Sequence, residues 1–193
     1  MKYLLLVVAI FGLGEGIKQR IDKKEPLGKE RRVPKLPVVI EKYYNNGAAL
    51  NLLAKKPKIM QGLHSACMAG LMTIYGFVLR KGNTGLKTGM SMMVGGGLSN
   101  LWDRIHKKHV VDYIRFDTPW KRFSRIVFNI SDFFIFAGTL LTILFDMNDS
   151  GVKRWIAANG NNTEGSNPIF LNQIRSLYLN QHKKSLLKIK FYI

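Results

Sequence analysis

The chain has 193 residues, with 30 Lys and Arg against 12 Asp and Glu, for a formal net charge of +18. Such an excess suits nucleic acid or an anionic membrane surface, but here the cations cluster between long uncharged stretches. That pattern speaks for a membrane protein whose loops meet anionic lipid and against a soluble nucleic-acid binder. The single cysteine, Cys67, excludes a disulfide framework and a cysteine-based zinc cluster; lying in an apolar run, it reads as a packing residue.

The first apolar run, Tyr3 to Gly14, follows Met1-Lys2 and has the length of a signal-peptide core. The sequence after it, "GLGEGIKQRIDKK", offers no A-x-A-like cleavage site, so a retained span over about 3–18 is expected, with Lys18 snorkelling outward. "LPVVIEKYYNNGAAL" is β-branched and aromatic before an Asn-Asn-Gly turn, which predicts a short strand. Ile59 to Leu79 carries no charge and is long enough to cross a bilayer. After the turn "RKGNTGLK" at 80–87, a third apolar segment covers about 86–102. Small residues recur at helical spacing there (Ser91, Gly95, Ser99) and in the second span (Ala66, Gly70), as close helix packing in lipid requires.

"HKKHVVDYIRF" reads as extended, and a fourth span is expected over 126–145, broken only by Asp132. The expected fold is therefore an all-α integral membrane protein: a four-helix transmembrane bundle with a small β-sheet on the membrane surface. It would occupy residues 1–149, with 150–193 a basic polar tail holding one short helix from Ile169 to Leu179. Four crossings put both termini on one side. Basic residues are dense in 18–35 and 104–125, on the other side, and in the tail, so the positive-inside rule gives no clean orientation.

An aspartate within a span is costly, which marks Asp132 as functional; six residues past Ile126, it is expected about 9 Å along its helix, near the interface. Asn129 shares its face. Asn100, Asp103 and Arg104 form one polar face at the end of the third span. Asp103 and Arg104, being adjacent, are expected to find partners on other segments and to anchor structure. Asp103, His106, His109 and Asp112 recur every three residues with ligand-competent types. Lys107 and Lys108 lie among them, however, and an extended backbone would throw the side chains apart, so no metal or other cofactor is expected. Asp112 lies on the same side of the membrane as the start of the fourth span. Asp112 and Asp132 can meet there, and two carboxylates at one site share a proton. The ionised member activates water while the protonated one supports the tetrahedral intermediate.

"YYNNGAAL" at 43–50, "GGGLSNLWDR" at 95–104, "VVDYI" at 110–114 and "FNISD" at 128–132 together resemble the motifs of signal peptidase II, the bacterial lipoprotein signal peptidase, across about residues 10–147. The resemblance implies an intramembrane aspartic protease with cytoplasmic termini and an extracytoplasmic β-cradle. It would cleave prolipoproteins just before the diacylglyceryl-modified lipobox cysteine. It implies Asp112 and Asp132 as the catalytic pair, with Asn45, Gly47, Asn100, Asp103, Arg104 and Asn129 lining or bracing the groove. Prolipoproteins, membrane lipid and globomycin-type inhibitors are the expected partners, nucleic acid is not, and a monomer in the bacterial cell membrane is expected. The chain departs from the family pattern at Gly14, where an Asp is usual, with Glu15 beside it, and at Leu50 and Ser131, where Phe and Ala are usual.

Two other readings are a second kind of enzyme and a protein of a different class. A metal centre on His106 and His109 would make activity sensitive to a chelator, and a non-catalytic polytopic membrane protein binding anionic lipid would explain the charge without turnover.

Overall fold

The computed structural model describes residues 1–47, 53–121 and 123–146. The tail expected over 150–193, the helix Ile169–Leu179 and Leu50 lie outside the described residues.

Four long helices and one antiparallel sheet make up the described chain. In order they are α1 (Lys2–Lys24), β1 (Glu30–Arg32), β2 (Val38–Asn45), α2 (Pro57–Lys81), α3 (Thr84–His106), β3 (Val110–Phe116), β4 (Val127–Phe128) and α4 (Ile130–Asp146). The sheet runs β1-β2-β3-β4, every pair antiparallel. Two of its strands, β2 and β3, are the extended segments expected from sequence, while β1 and β4 are too short and too charged or isolated to show a period of two.

Both α1 and α3 outrun their apolar segments, because Lys, Arg and Gln continue a helix as well as Leu does. The fourth helix starts at Ile130 rather than 126. Val127 and Phe128 are taken by the sheet, opposite Arg115 and Ile114, so the helix can begin only after Asn129. Asp132 is consequently in the first turn of α4, not six residues into it.

Helix α3 is the central one, and its glycines are why. A Cβ on Gly96 would lie 2.5 Å from the Ser131 carbonyl oxygen of α4, and one on Gly89 would lie 2.8 Å from that of Gly138. On another face, Gly95 meets Val7 and Ile10 of α1, and Gly97 meets Met68 of α2. Small residues here let backbones approach, as expected for Ser91, Gly95 and Ser99. The second expected stripe does not behave this way: Ala66 and Gly70 face outward, and so does Cys67. Helix α2 instead buries Met60, Met68 and Tyr75, the larger residues that fill the gap beside a glycine-rich partner. The Tyr75 hydroxyl bonds the Ser91 hydroxyl at 2.9 Å.

Outward faces of the helices carry exposed Leu4, Leu5 and Val8 on α1, Leu63, Ile74 and Phe77 on α2, and Leu140, Ile143 and Leu144 on α4. Among the described residues α2 alone is both long and apolar enough to cross a membrane by composition; Ile130–Phe145 is apolar but shorter. Helix α1 is interrupted by Glu15 and Lys18, and α3 is rich in glycine, serine and threonine and ends in Asn100, Asp103 and Arg104.

Glycine at 96 and glycine at 70 should respond oppositely to a methyl group. Gly96→Ala drives a Cβ into backbone and is expected to cost about 1–3 kcal/mol. Gly70→Ala, with nothing within 4 Å of the added carbon, should leave stability unchanged or raise it by up to ~1 kcal/mol. Thermal unfolding of the detergent-solubilised variants checks both.

Candidate active site

The strand β3 enters the site with Val110, Val111, Asp112 and Tyr113 all buried. Four consecutive buried residues mean that both faces of the strand are covered at this end. A register shift between Ile40 and Tyr43 of β2 lies across from it, and beyond that shift Tyr43 pairs with Asp112 and Asn45 with Val110. Asn45 closes β2 with a turn, its side-chain oxygen accepting from the Gly47 amide at 3.0 Å, which leaves its Nδ2 to donate to Asp112 Oδ2 at 2.9 Å.

Asp132 is held by a different local device. Asn129 precedes α4 and its Oδ1 accepts from the amides of Ser131 at 2.8 Å and Asp132 at 3.3 Å. The Asp132 carboxylate returns the bond, its Oδ2 accepting from the Asn129 amide at 2.9 Å. This is a capping box written as Asn-Ile-Ser-Asp, and it fixes the aspartate by the same bonds that start the helix. The hydroxyl of Tyr113 accepts the next free amide, Ile130, at 3.2 Å. Burial pushes that phenol up to about 12, so it stays protonated.

Asn129 also joins the two acids. Its Nδ2 donates to Asp112 Oδ1 at 2.6 Å, and to Asn100 Oδ1 at 3.2 Å, while Asn100 Nδ2 donates to Asp132 Oδ1 at 2.8 Å. Both carboxylates line one cavity of about 150 Å³, together with Asn45, Asn100, Arg104 and Asn129 on the polar side and Val110, Phe128 and Phe136 on the apolar side. Burial first, and then the charge of Asp132, push Asp112 up to about 7; the amides of Asn129 and Asn45 oppose that rise only in part.

Arg104 reaches across to the turn after β2, donating to the Gly47 carbonyl oxygen at 2.6 Å, and its Nε has no partner among the described residues. Asp103 and Arg104 thus find separate partners on other segments, as their adjacency requires. Asp103 is fully buried, accepts the Val111 amide at 3.2 Å, and pairs with Lys18 at 3.2 Å and Lys107 at 2.8 Å.

Lys18 corrects the sequence reading. Expected to snorkel, it is wholly buried, because α1 continues six residues beyond it and brings its ammonium to Asp103, to Ser99 Oγ at 2.9 Å and to Asn100 Oδ1 at 2.9 Å. Glu15, one turn earlier, accepts from the Ser99 hydroxyl at 2.8 Å. The signal was present in "GEGIK": an acid and a base at i, i+3 inside an apolar helix face the same cost that singled out Asp132. The two histidines diverge. His106 lies over Trp102 with ring centroids 3.8 Å apart, and His109 over Tyr44 at 4.1 Å, so the four residues spaced by three point to four different places. Burial lowers the His109 pKa from its ordinary value.

Residues 6–148 match the family model described as signal peptidase (SPase) II. The chain belongs to the signal peptidase II family. A lipoprotein signal peptidase of Mesorhizobium japonicum is 30% identical over 145 residues, 75% of this chain and 83% of that protein. One from Clostridioides difficile is 28% identical over 150 residues, 75% and 94% of the two chains. In fold, the chain is similar to a solved bacterial membrane enzyme with a TM-score of 0.68 at 23% identity, covering 79% of this chain and 91% of the other.

Asn45, Gly47, Asn100, Arg104, Asp112, Asn129 and Asp132 form one bonded group at the cavity, and Asp103 joins it through Lys18 and Val111. Lys18 is the support behind it. Removing the ammonium leaves Asp103 with Lys107 as its one cationic partner among the described residues and takes the donor from Ser99 and Asn100, so Lys18→Met is expected to cost about 3–5 kcal/mol. Lys18→Met with Asp103→Leu, which removes the pair together, should recover a large part of the loss. Unfolding midpoints of the two single variants and the double variant measure it.

Proposed function

We propose that this chain is a membrane-embedded aspartic endopeptidase that removes signal peptides from prolipoproteins, cleaving before the diacylglyceryl-modified cysteine. The observation that carries the reading is the pair of buried carboxylates, Asp112 and Asp132, facing one cavity and bridged by Asn129. In this mechanism the pair holds one proton near neutral pH. The ionised carboxylate takes a proton from a water in the cavity as the water oxygen attacks the scissile carbonyl. The other carboxyl donates its proton to the carbonyl oxygen, and collapse of the tetrahedral intermediate passes a proton to the leaving amine.

Asn45, Asn100 and Asn129 keep both carboxylates aimed inward, each with an amide hydrogen bond already made, so little reorganisation is left for the reaction. The unpartnered Nε of Arg104 offers the substrate backbone a donor at the cavity wall. The substrate's signal segment would approach from the lipid side, where Phe128 and Phe136 border the cavity.

In this reading α1 to α4 all span the bilayer, with the termini on the cytoplasmic side and the sheet and cavity near the extracytoplasmic face. The exposed apolar side chains of α1, α2 and α4 support it, since a soluble surface rarely carries so continuous an apolar cover. The core would end near residue 149, with the basic tail outside it. The protein would act as a monomer without a cofactor, and a globomycin-type peptide would compete for the same cavity.

Asp112→Asn and Asp132→Asn should each lower cleavage of a lipidated precursor by ~100-fold or more. Reconstituted protein with an unchanged unfolding midpoint provides the assay, and near wild-type turnover by either variant would refute the assignment. The rate should also fall as pH rises through about 7, where the shared proton is lost. The linked stability effect has the same sign. With the folded value raised above the usual 3.8, the stabilising contribution is complete below about pH 4 and fades as pH climbs to about 7. Asp112→Asn should flatten that slope in pH-dependent unfolding.

A further inference from the structure

Residues 117–126 join β3 to β4, and of them Ile126 alone, at the far end, borders the cavity of the two aspartates among the described residues. Their sequence, "DTPWKRFSRI", sets three cations, Lys121, Arg122 and Arg125, against the single carboxylate Asp117. Asp117 is already engaged, by Arg32 at 3.4 Å and, through its amide, by the Pro37 carbonyl oxygen at 3.0 Å. The described residues on either side of position 122 are tied together by backbone hydrogen bonds. The Trp120 carbonyl accepts from the amides of Phe123 and Ser124 at 2.9 and 3.0 Å, the Phe123 carbonyl accepts from Ile126 at 3.0 Å, and a short 3-10 turn covers Phe123–Arg125.

On this fixed turn Trp120 is 79% exposed. Beside it lies an apolar cleft of about 310 Å³ bounded by Thr118, Pro119, Trp120 and Phe123. The Thr118 hydroxyl is buried and has no partner among the described residues. Lys121 and Arg125 are exposed, with no carboxylate paired to either among the described residues. An indole, an apolar cleft and cations without a paired carboxylate among the described residues match the layered chemistry of a bilayer interface, acyl chain beneath anionic headgroup. An acidic protein surface would match the cations but would leave Trp120 and the cleft unsatisfied.

We propose that the 117–126 turn is a binding site for an anionic phospholipid of the surrounding bilayer. Lys121 and Arg125 face the headgroup phosphate, and the cleft beside Trp120 takes the first part of an acyl chain. Phe123 forms the cleft's inner wall and packs on Phe128 with ring centroids 5.9 Å apart, and Phe128 borders the catalytic cavity. A lipid seated here therefore braces one wall of that cavity. The inference rests on the membrane placement of the sheet and not on the roles of the aspartates.

The test uses the full chain with Trp102→Phe and Trp155→Phe, which leaves Trp120 as the only tryptophan, in substrate-free nanodiscs. Trp120 emission is compared in discs containing brominated phosphatidylglycerol or brominated phosphatidylcholine at equal fraction. Quenching by the anionic lipid is expected to be at least twofold stronger, and Lys121→Gln/Arg122→Gln/Arg125→Gln should bring the ratio to one. Equal quenching in the unsubstituted turn, or a preference that survives the triple change, would overturn the site while leaving the membrane placement standing. Absence of quenching by either lipid would overturn both. A response to soluble polyglutamate but not to the anionic lipid would reject the lipid and assign the turn to an acidic protein partner.

Discussion

A buried lysine decides how this molecule is put together. Lys18 has no contact with solvent, and an ammonium in that position is tolerable only if several acceptors surround it. Beside Glu15 on its own helix, they come from α3: Ser99, Asn100 and Asp103 lie on a single face and all point at the same nitrogen. The requirement fixes the rotation and the height of α1 against α3 more tightly than apolar packing could. Each acceptor then reaches further. Asp103 takes the amide of Val111, the residue before Asp112, and Asn100 donates to Asp132. One cation thereby stands a single residue away from both acids of the cavity, gripping the strand that carries one and the side chain of the other.

The asparagines complete what the lysine begins. Asn129 is at once the cap of α4, the partner of Asp112 and a neighbour of Asn100, and no aliphatic or hydroxyl residue has the donors and acceptors for all of these. The cost of its full burial is met because both ends of its amide are bonded. Placing Asp132 at the third position of the helix has a further consequence. The carboxylate that starts the helix is the one presented to the cavity, so the geometry of the acid is inherited from backbone hydrogen bonds rather than from a flexible loop.

What could be read from the sequence follows from which features are local. Apolar runs located the four helices, because burial and lipid contact both favour them. The motif residues around Asp112 and Asp132 were legible through their order and spacing. The start of α4 was not, since Val127 and Phe128 look equally apolar in a helix or a strand and only their pairing with β3 decides. Nor was the face of α2. Ala66 and Gly70 suit close packing, but α3 already supplies the glycines, and the complementary surface needed Met68 and Tyr75. Lys18 was misjudged because a lysine near the end of an apolar run usually reaches water. What held it inside is Asp103, 85 residues later, which no local pattern displays.

Gly14 and Ser131 make sense only together. A Cβ on Gly14 would stand 2.6 Å from the Ser131 hydroxyl and 2.7 Å from that of Ser99. The space beside α1 is thus filled by two hydroxyls, bonded to each other at 3.0 Å, and a side chain at 14 could not share it. With that position closed, the carboxylate that reaches this space from α1 is Glu15. Glu15 reaches Ser99 from the next position and lies 3.5 Å from Lys18, so the lysine still has a carboxylate on its own helix as well as Asp103 opposite. Gly14, Glu15 and Ser131 thus fit one another, and Lys18 keeps two carboxylates, Glu15 at 3.5 Å and Asp103 at 3.2 Å.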